Sequence, residues 1–424
     1  MVSIKKAPIS IYVSLLTCSV MVGMDRTTIA HIPSTFPALP GSVIAYLEQL
    51  PHIKKNIAST LIDKAKTIAS FLCEFANTRG GSVRLTDIDT LENKILKQIE
   101  NNAPVECILV GFPAKSCNDE TKVLQSKTID MAECAGLLTL YHMCKEVDSV
   151  YQPGMTVGLW SREAHIYSLN KIAEQYLSIP LFDENNIEQY QKDLGTLVKD
   201  FHPTLKTINI ENTRTIFDAQ YAQLDVEPAY NIKDYAAFMK EELNQEHIWN
   251  AIRSKVYIKD HERLSKLPRL SFIKDYSSWY AIQDAVVAGK ISTKQLSYLM
   301  GQLPVKDTMS QLAYELADAV SRGSSRNRAL LHDSIPNYAS HIRLSVSPSE
   351  DGSVASKLGI SLVYGSTGTT WHNILALTRG GIELMHRKRF VDHDGEFHSK
   401  GRCKEYSLAN LKLLYMDLES PQDA

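Results

Sequence analysis

The chain has no Cys-x-x-Cys pair, and its seven cysteines, Cys18, Cys73, Cys107, Cys117, Cys134, Cys144 and Cys403, are odd in number. A disulfide framework needs pairs and an oxidising compartment, so this usage points to reduced thiols in a cytoplasmic protein. It also speaks against a cysteine-built zinc site. Excess charge of either sign is missing: 46 basic against 48 acidic residues give a formal net charge of -2. A nucleic-acid partner calls for a concentrated basic face, which this balance does not supply. No unbroken apolar run approaches the ~20 residues of a membrane span. Neither an internal repeat nor a low-complexity tract occurs, which sets solenoids and propellers aside. What remains is a chain of 424 residues, 44% hydrophobic and 22% charged, the make-up of a globular enzyme with room for two units or one large domain.

The first residues are ambiguous. Lys5-Lys6 precede an apolar stretch, 7–24, that Pro8, Ser10, Ser14, Thr17 and Ser19 interrupt. A signal peptide and a buried terminal segment both fit, and no Ala-x-Ala cleavage site precedes Asp25-Arg26. Residues 1–45, with Pro33, Pro37 and Pro40, are expected to form an irregular, signal-like leader. Residues 46–424 are expected to form a single α/β catalytic domain.

Behind the leader, helical and strand patterns alternate. Ile57, Leu61, Ala65, Ile68, Leu72 and Phe75 recur every three or four residues, which predicts a helix over 53–76, and 91–99 predicts another. Val105-Glu106-Cys107-Ile108-Leu109-Val110 predicts a buried strand running into Gly111-Phe112-Pro113-Ala114-Lys115-Ser116-Cys117-Asn118. In open α/β sheets ligands bind outside the carboxyl ends of strands, so Lys115 and Ser116 stand where a site is expected. A helix begins at Met131, with Asp130 as N-cap and Glu133 in its first turn, where a carboxylate suits the helix dipole. Capping alone would account for both acids. A strand over 155–160, a helix over 164–177 and a mostly helical region at about 183–335, with a strand within 204–213, follow. The short basic segment from Arg322 to Arg328 reads as a solvated turn, with phosphate binding as the alternative. The order predicts a Rossmann-like mixed sheet with helices on both faces and an additional helical region.

Two further strand patterns, 341–347 and 357–364, flank Pro348-Ser349-Glu350-Asp351-Gly352, a turn signal. They predict a hairpin or a pair of neighbouring strands. Gly365-Ser366-Thr367-Gly368-Thr369-Thr370 then offers N–H and hydroxyl donors to an anion, and Trp371-His372-Asn373 adds an apolar wall and a titratable imidazole. Past them, 374–378 and 382–386 predict a hairpin turning at Arg379-Gly380-Gly381. The stretch 386–398 is rich in metal-ligand types, but its spacing matches no ligand set and reads as a solvated loop.

Taken together these stretches resemble the pyoverdine/dityrosine biosynthesis family, which includes isonitrile synthases. The matching residues are Gly111-Phe112-Pro113-Ala114-Lys115-Ser116 with Asn118, Lys122-Val123-Leu124, Asp130-Met131-Ala132-Glu133, His341-Ile342-Arg343-Leu344-Ser345 with Pro348-Ser349, Thr370-Trp371-His372-Asn373, and Gly401-Arg402. The chain departs from the family's pattern at Ala114, where an aromatic is usual, at Thr369 for proline, at Ser347 for histidine, and at Trp160-Ser161-Arg162-Glu163 for an SDG-type turn. The resemblance implies conversion of the α-amine of an amino acid, tyrosine or tryptophan, into an isonitrile. The added carbon comes from the C2 ketone of ribulose 5-phosphate, with no metal or organic cofactor. It also implies an iron(II)/2-oxoglutarate oxygenase as functional partner. Alternatives are an N-formyl amino acid synthase, another sugar-phosphate lyase and a non-catalytic binding homologue.

Imine formation, proton transfers and phosphate loss need an anion clamp and an acid/base group with a pKa near neutrality. On this reading Arg343 and Lys122 bind anions, and Lys115 acts as acid/base or carbonyl-polarising cation. His372 is the general acid/base, and Asp130 or Glu133 orients the amine or takes a proton. Trp371 walls the pocket, and Ser116 and Ser345 add hydrogen bonds.

Overall fold

A computed structural model describes residues 31–54, 60–76, 85–116, 122–161, 166–167, 171, 183–208, 337–346, 357–366, 368–378, 381–390 and 401–418, with single positions between 318 and 335. Its centre is a five-stranded sheet in the order β3-β2-β1-β4-β5. The strands are β1 (Val105–Val110), β2 (Met155–Trp160), β3 (Leu205–Thr207), β4 (Ile342–Ser345) and β5 (Leu358–Gly359). All four pairings are parallel. β1 and β2 are near-continuous apolar runs with one half-buried position each. That is the pattern of parallel strands covered on both faces. The order reverses between β1 and β4, so the crevice beyond their C-terminal ends is the topological switch point of a doubly wound fold.

The helices are α1 (Gly41–Glu48), α2 (Leu61–Glu74), α3 (Leu85–Glu100), α4 (Met131–Val150) and α5 (Glu184–Val198); α3, α4 and α5 pack on this sheet, α2 on α3 and α4, and α1 on α4 and on strands of a second sheet. Every residue of α4 from Met131 to Leu140 is buried. A helix apolar on all sides must be enclosed, and α4 touches β2 of the first sheet and two strands of a second. The second sheet runs β7-β6-β9-β8, from β6 (Ile374–Thr378), β7 (Gly381–Met385), β8 (Arg402–Leu408) and β9 (Leu411–Asp417). Two antiparallel hairpins meet there along a parallel β6–β9 pairing. Gly136 lets the 3-10 turn Thr370–His372 settle on α4, since a Cβ at 136 would lie 3.2 Å from Thr370 Cγ2. A mid-helix glycine costs roughly 1 kcal/mol against alanine, and close packing is the return.

The structure corrects several expectations. Of the two arrangements expected for 341–347 and 357–364, the neighbouring strands are found and the hairpin is not: β4 and β5 pair in parallel, with Leu344 opposite Leu358. About a dozen residues separate them, the length a parallel crossover needs, and the turn chemistry of 348–352 does not by itself impose a hairpin. The leader expected to be irregular up to residue 45 already contains the start of α1. Pro40 stands at its N-cap, and Val43, Tyr46 and Leu47 are buried at helical spacing. Eight residues are too few for periodicity alone to reveal. Positions 318, 322, 326, 329 and 332 are helical, and Arg322 Nε pairs with Asp318 Oδ1 at 2.8 Å, so Arg322 belongs to a helix and not to a basic turn. The hairpin at 374–386 is present as β6 and β7. Residues 1–30, 209–317 and 391–400, which hold the apolar leader, most of the expected helical region and much of the metal-ligand-rich stretch, lie outside the described residues. Among the described residues no helix is long and apolar enough to cross a membrane.

Candidate active site

The site begins where β1 runs out. The Gly111 N–H donates to Trp160 O at 3.0 Å, prolonging the ladder with β2 by one residue. Phe112 then turns the chain with φ at 52°, a left-handed value rare for a bulky side chain. Its ring packs on Trp371 with centroids 5.4 Å apart. Gln191 of α5 holds this turn by donating to the carbonyls of Phe112 at 2.7 Å and Pro113 at 2.8 Å. Ser116 N–H donates to Trp371 O at 2.8 Å. Lys115, fixed on both sides, points inward with a fully buried side chain.

Its ammonium meets the start of α4. Lys115 Nζ lies 2.8 Å from Asp130 Oδ2 and donates to Glu133 Oε1 at 2.9 Å and Oε2 at 2.8 Å. It also donates to Thr370 O at 3.1 Å and Asn373 O at 3.4 Å. The two acids form a capping box as well: Asp130 Oδ1 accepts from Ala132 N–H, and Glu133 Oε2 accepts from Asp130 N–H. Capping and charge pairing are therefore one arrangement. The box fixes both carboxylates, and the lysine docks on them.

Burial and charge decide the protonation states. Burial raises the Glu133 pKa most strongly, the Asp130 charge adds to it, and Lys115 opposes, leaving Glu133 pushed up to about 8. Burial alone would discharge Lys115, but Asp130 and Glu133 outweigh it and hold its pKa above the usual lysine value. So Lys115 is a fixed cation and Glu133 holds a proton at neutral pH. A carboxyl with a raised folded-state pKa contributes stability that is complete below its unfolded value, here 4.5, and lost as pH rises toward about 8. The melting temperature is thus expected to fall across that window and level off above it. Glu133→Gln should flatten the slope in a pH series of thermal melts; equal slopes in the two proteins would mean that another group carries it.

His372 behaves in the opposite sense. Its Nδ1 is buried. Burial first, then the charges of Lys122, His386 and Lys115, push its pKa well below the usual histidine value. The imidazole is neutral near pH 7. The turn that carries it is tied down by Asn373 Nδ2 donating to Thr369 O at 2.8 Å. Lys122 is 5% exposed, and its carbonyl accepts from the Arg387 N–H at 3.1 Å, bringing the segment after β7 to the site.

The sequence-predicted residues divide into two groups. Lys115, Asp130 and Glu133 are in direct contact, with Ser116, Trp371, His372 and Lys122 around them. Arg343 and Ser345 stand on the neighbouring strand β4, opposite Ile108 and Val110, and share one face of it. They border the crevice from the far side of the switch point. Among the departures, Ala114 is buried, and Ser347, Arg162 and Glu163 lie outside the described residues. Sequence reasoning missed Tyr190 and Gln191, and named Thr370 only for its place in the loop and motif, not for the carbonyl that accepts from Lys115. Tyr190 is fully buried and donates to Glu133 Oε1 at 3.4 Å. Burial, with the nearby carboxylates, keeps its phenol protonated well above the usual range. Its only sequence signal is the spacing of Ile187, Tyr190, Leu194 and Leu197, which reads as ordinary core.

The chain has known relatives. A family model described as pyoverdine/dityrosine biosynthesis protein matches residues 95–398, a span that holds every site residue named above. The L-tyrosine isonitrile synthase of Xenorhabdus nematophila is 26% identical over 321 residues, covering 73% of this chain and 79% of that protein. The L-tyrosine isonitrile synthase of Pseudomonas aeruginosa is 26% identical over 326 residues, covering 74% and 83%. An L-tryptophan isonitrile synthase of Fischerella ambigua is 26% identical over 304 residues, covering 70% and 78%. The crystal structure of the PvcA protein from Pseudomonas aeruginosa matches with a TM-score of 0.54 over 85% of this chain and all of that one, at 19% identity, so the fold is shared. With most of its length and the whole Lys115 cluster inside the matched span, the chain belongs to the pyoverdine/dityrosine biosynthesis protein family.

Proposed function

We propose that the protein is an isonitrile synthase that converts the α-amine of tyrosine or tryptophan into an isonitrile, with the carbon taken from C2 of ribulose 5-phosphate. The observation that carries this reading is the pairing of a proton-holding Glu133 with a proton-free His372 around the fixed cation Lys115, at the switch point of the sheet. Two titratable groups whose surroundings drive their pKa values apart are the usual sign of an acid and a base at work. The names of the relatives support the reaction class.

The chemistry divides among the residues as follows. The substrate amine attacks the C2 ketone and loses a proton, which the neutral His372 accepts. The carbinol hydroxyl leaves as water when Glu133 supplies a proton, giving an imine. Lys115 is held by two carboxylates and two carbonyls, so it acts as a fixed positive charge rather than as the nucleophile of a Schiff base. Lys122 and Arg343 hold phosphate and carboxylate, and Ser116 and Ser345 lend hydrogen bonds. Trp371 and Phe112 form a flat wall suited to an aromatic side chain. Cleavage of both carbon–carbon bonds at C2 makes the overall reaction a lyase type. The isonitrile acid would pass to a tailoring enzyme such as an iron(II)/2-oxoglutarate oxygenase.

The test is mass spectrometry of the purified protein with ribulose 5-phosphate labelled at C2 and either amino acid. The expected product has gained one labelled carbon and lost two hydrogens. Gain of a carbon and an oxygen instead would make the enzyme an N-formyl amino acid synthase. Thermal stabilisation by ribulose 5-phosphate without any product would make it a binding homologue.

A further inference from the structure

A second cluster lies on α4, beyond the capping box. His31 Nε2 is 3.1 Å from Glu146 Oε1, and His52 Nδ1 is 2.9 Å from the same oxygen. The His142 ring sits with its centroid 5.5 Å from that of His31 and 4.9 Å from that of His52. One ligand atom from each of His31, His142 and Glu146 falls within 4.8 Å of the others. We propose that His31, His142 and Glu146, with His52 hydrogen-bonded beside them, form a binding site for a divalent cation of the zinc class.

Three details favour a metal over a plain hydrogen-bond network. First, His142 is fully buried, and its Nε2 is engaged with Pro51 O at 2.9 Å, while Nδ1 is buried without a hydrogen-bond partner. An orphaned buried polar atom is costly. A ring that gives one N–H to a backbone carbonyl and keeps the other nitrogen bare is the arrangement of a metal-ligating histidine. Second, Glu146 Oε2 accepts from Ile53 N–H at 2.8 Å, which leaves Oε1 as a single-oxygen ligand with an oriented carboxylate. Third, ligand atoms around a tetrahedral ion with bonds of ~2.0–2.1 Å stand about 3.3 Å apart. The 3.1 Å separation of His31 Nε2 from Glu146 Oε1 needs to open by only a few tenths of an ångström.

Two imidazoles and one carboxylate suit zinc, whereas calcium and magnesium take oxygen ligands. The ion would tie residues 31–53 to α4. Nine residues separate Glu133 from His142, about 14 Å of helix at 1.5 Å per residue, so the cluster is separate from the Lys115 site.

The experiment uses the untagged full-length protein, stripped with chelator and titrated with Co²⁺. The expected result is one equivalent bound with the visible absorption of tetrahedral cobalt, displaced by Zn²⁺, and a higher melting temperature with Zn²⁺ than without. His31→Ala, at a side chain 34% exposed, should keep the native circular dichroism and lose most of the tetrahedral band; Glu146→Gln should lose it too. Absence of saturable binding by the native protein overturns the proposal. So does an unchanged cobalt spectrum in both variants.

Discussion

Lys115→Met is expected to remove turnover and to weaken the fold in the same stroke. The methionine leaves Asp130 and Glu133 side by side with side chains that are 0% exposed and no cation between them. Removing one partner of a buried pair costs about 3–5 kcal/mol, because the remaining charge has no solvent. Loss of a preorganised charge at the reacting centre lowers turnover by about 10²–10³-fold. The motif alone predicts a catalytic defect in an intact fold; burial adds the stability loss. Combining Lys115→Met with Asp130→Asn and Glu133→Gln separates the two effects. The triple variant should regain much of the lost melting temperature and none of the activity. A single variant as stable as the native protein would refute the charge argument, and near-normal turnover would remove Lys115 from the reaction.

His372→Ala is expected to cost about 10²–10⁴ in turnover, the usual worth of a positioned acid or base, with little change in stability. The pH profile is the sharper reading. His372 is held neutral by burial and by Lys122, so the acidic limb of kcat/KM should lie below the usual histidine range. Glu133 sets the alkaline limb near pH 8. His372→Ala should abolish the first limb in whatever activity remains, and Glu133→Gln the second. An acidic limb that survives in His372→Ala would assign it to another group.

The parts of the site legible in the sequence were those written in local grammar. A strand followed by glycine and proline placed Lys115 beyond a strand end. Asp130 as an N-cap and Glu133 as a first-turn carboxylate were legible, while the capping box that joins them and aims both acids emerges only in the fold. The 374–386 hairpin declared itself by two short strand-like runs around a glycine pair. Contacts between distant segments were not legible. Tyr190 and Gln191 sit in a helix whose spacing says only core, and nothing in that spacing reports that one reaches Glu133 and the other the Phe112 turn. The parallel pairing of β4 with β5 depends on the sheet they join rather than on the turn residues between them. The histidine cluster draws on three stretches of chain, and only His142 and Glu146, one helical turn apart, are near in sequence.

The segment 370–373 is seated by its carbonyls. Thr370 O and Asn373 O accept from Lys115, and Trp371 O accepts from Ser116 N–H. None of these bonds consults the identity of the side chains at 371 and 372. Mutation can therefore exchange these two side chains while the backbone bonds beneath them persist. Seating and side-chain identity can be inherited separately, so on the proposed function a lineage built on this scaffold changes its amino acid without first rebuilding the site.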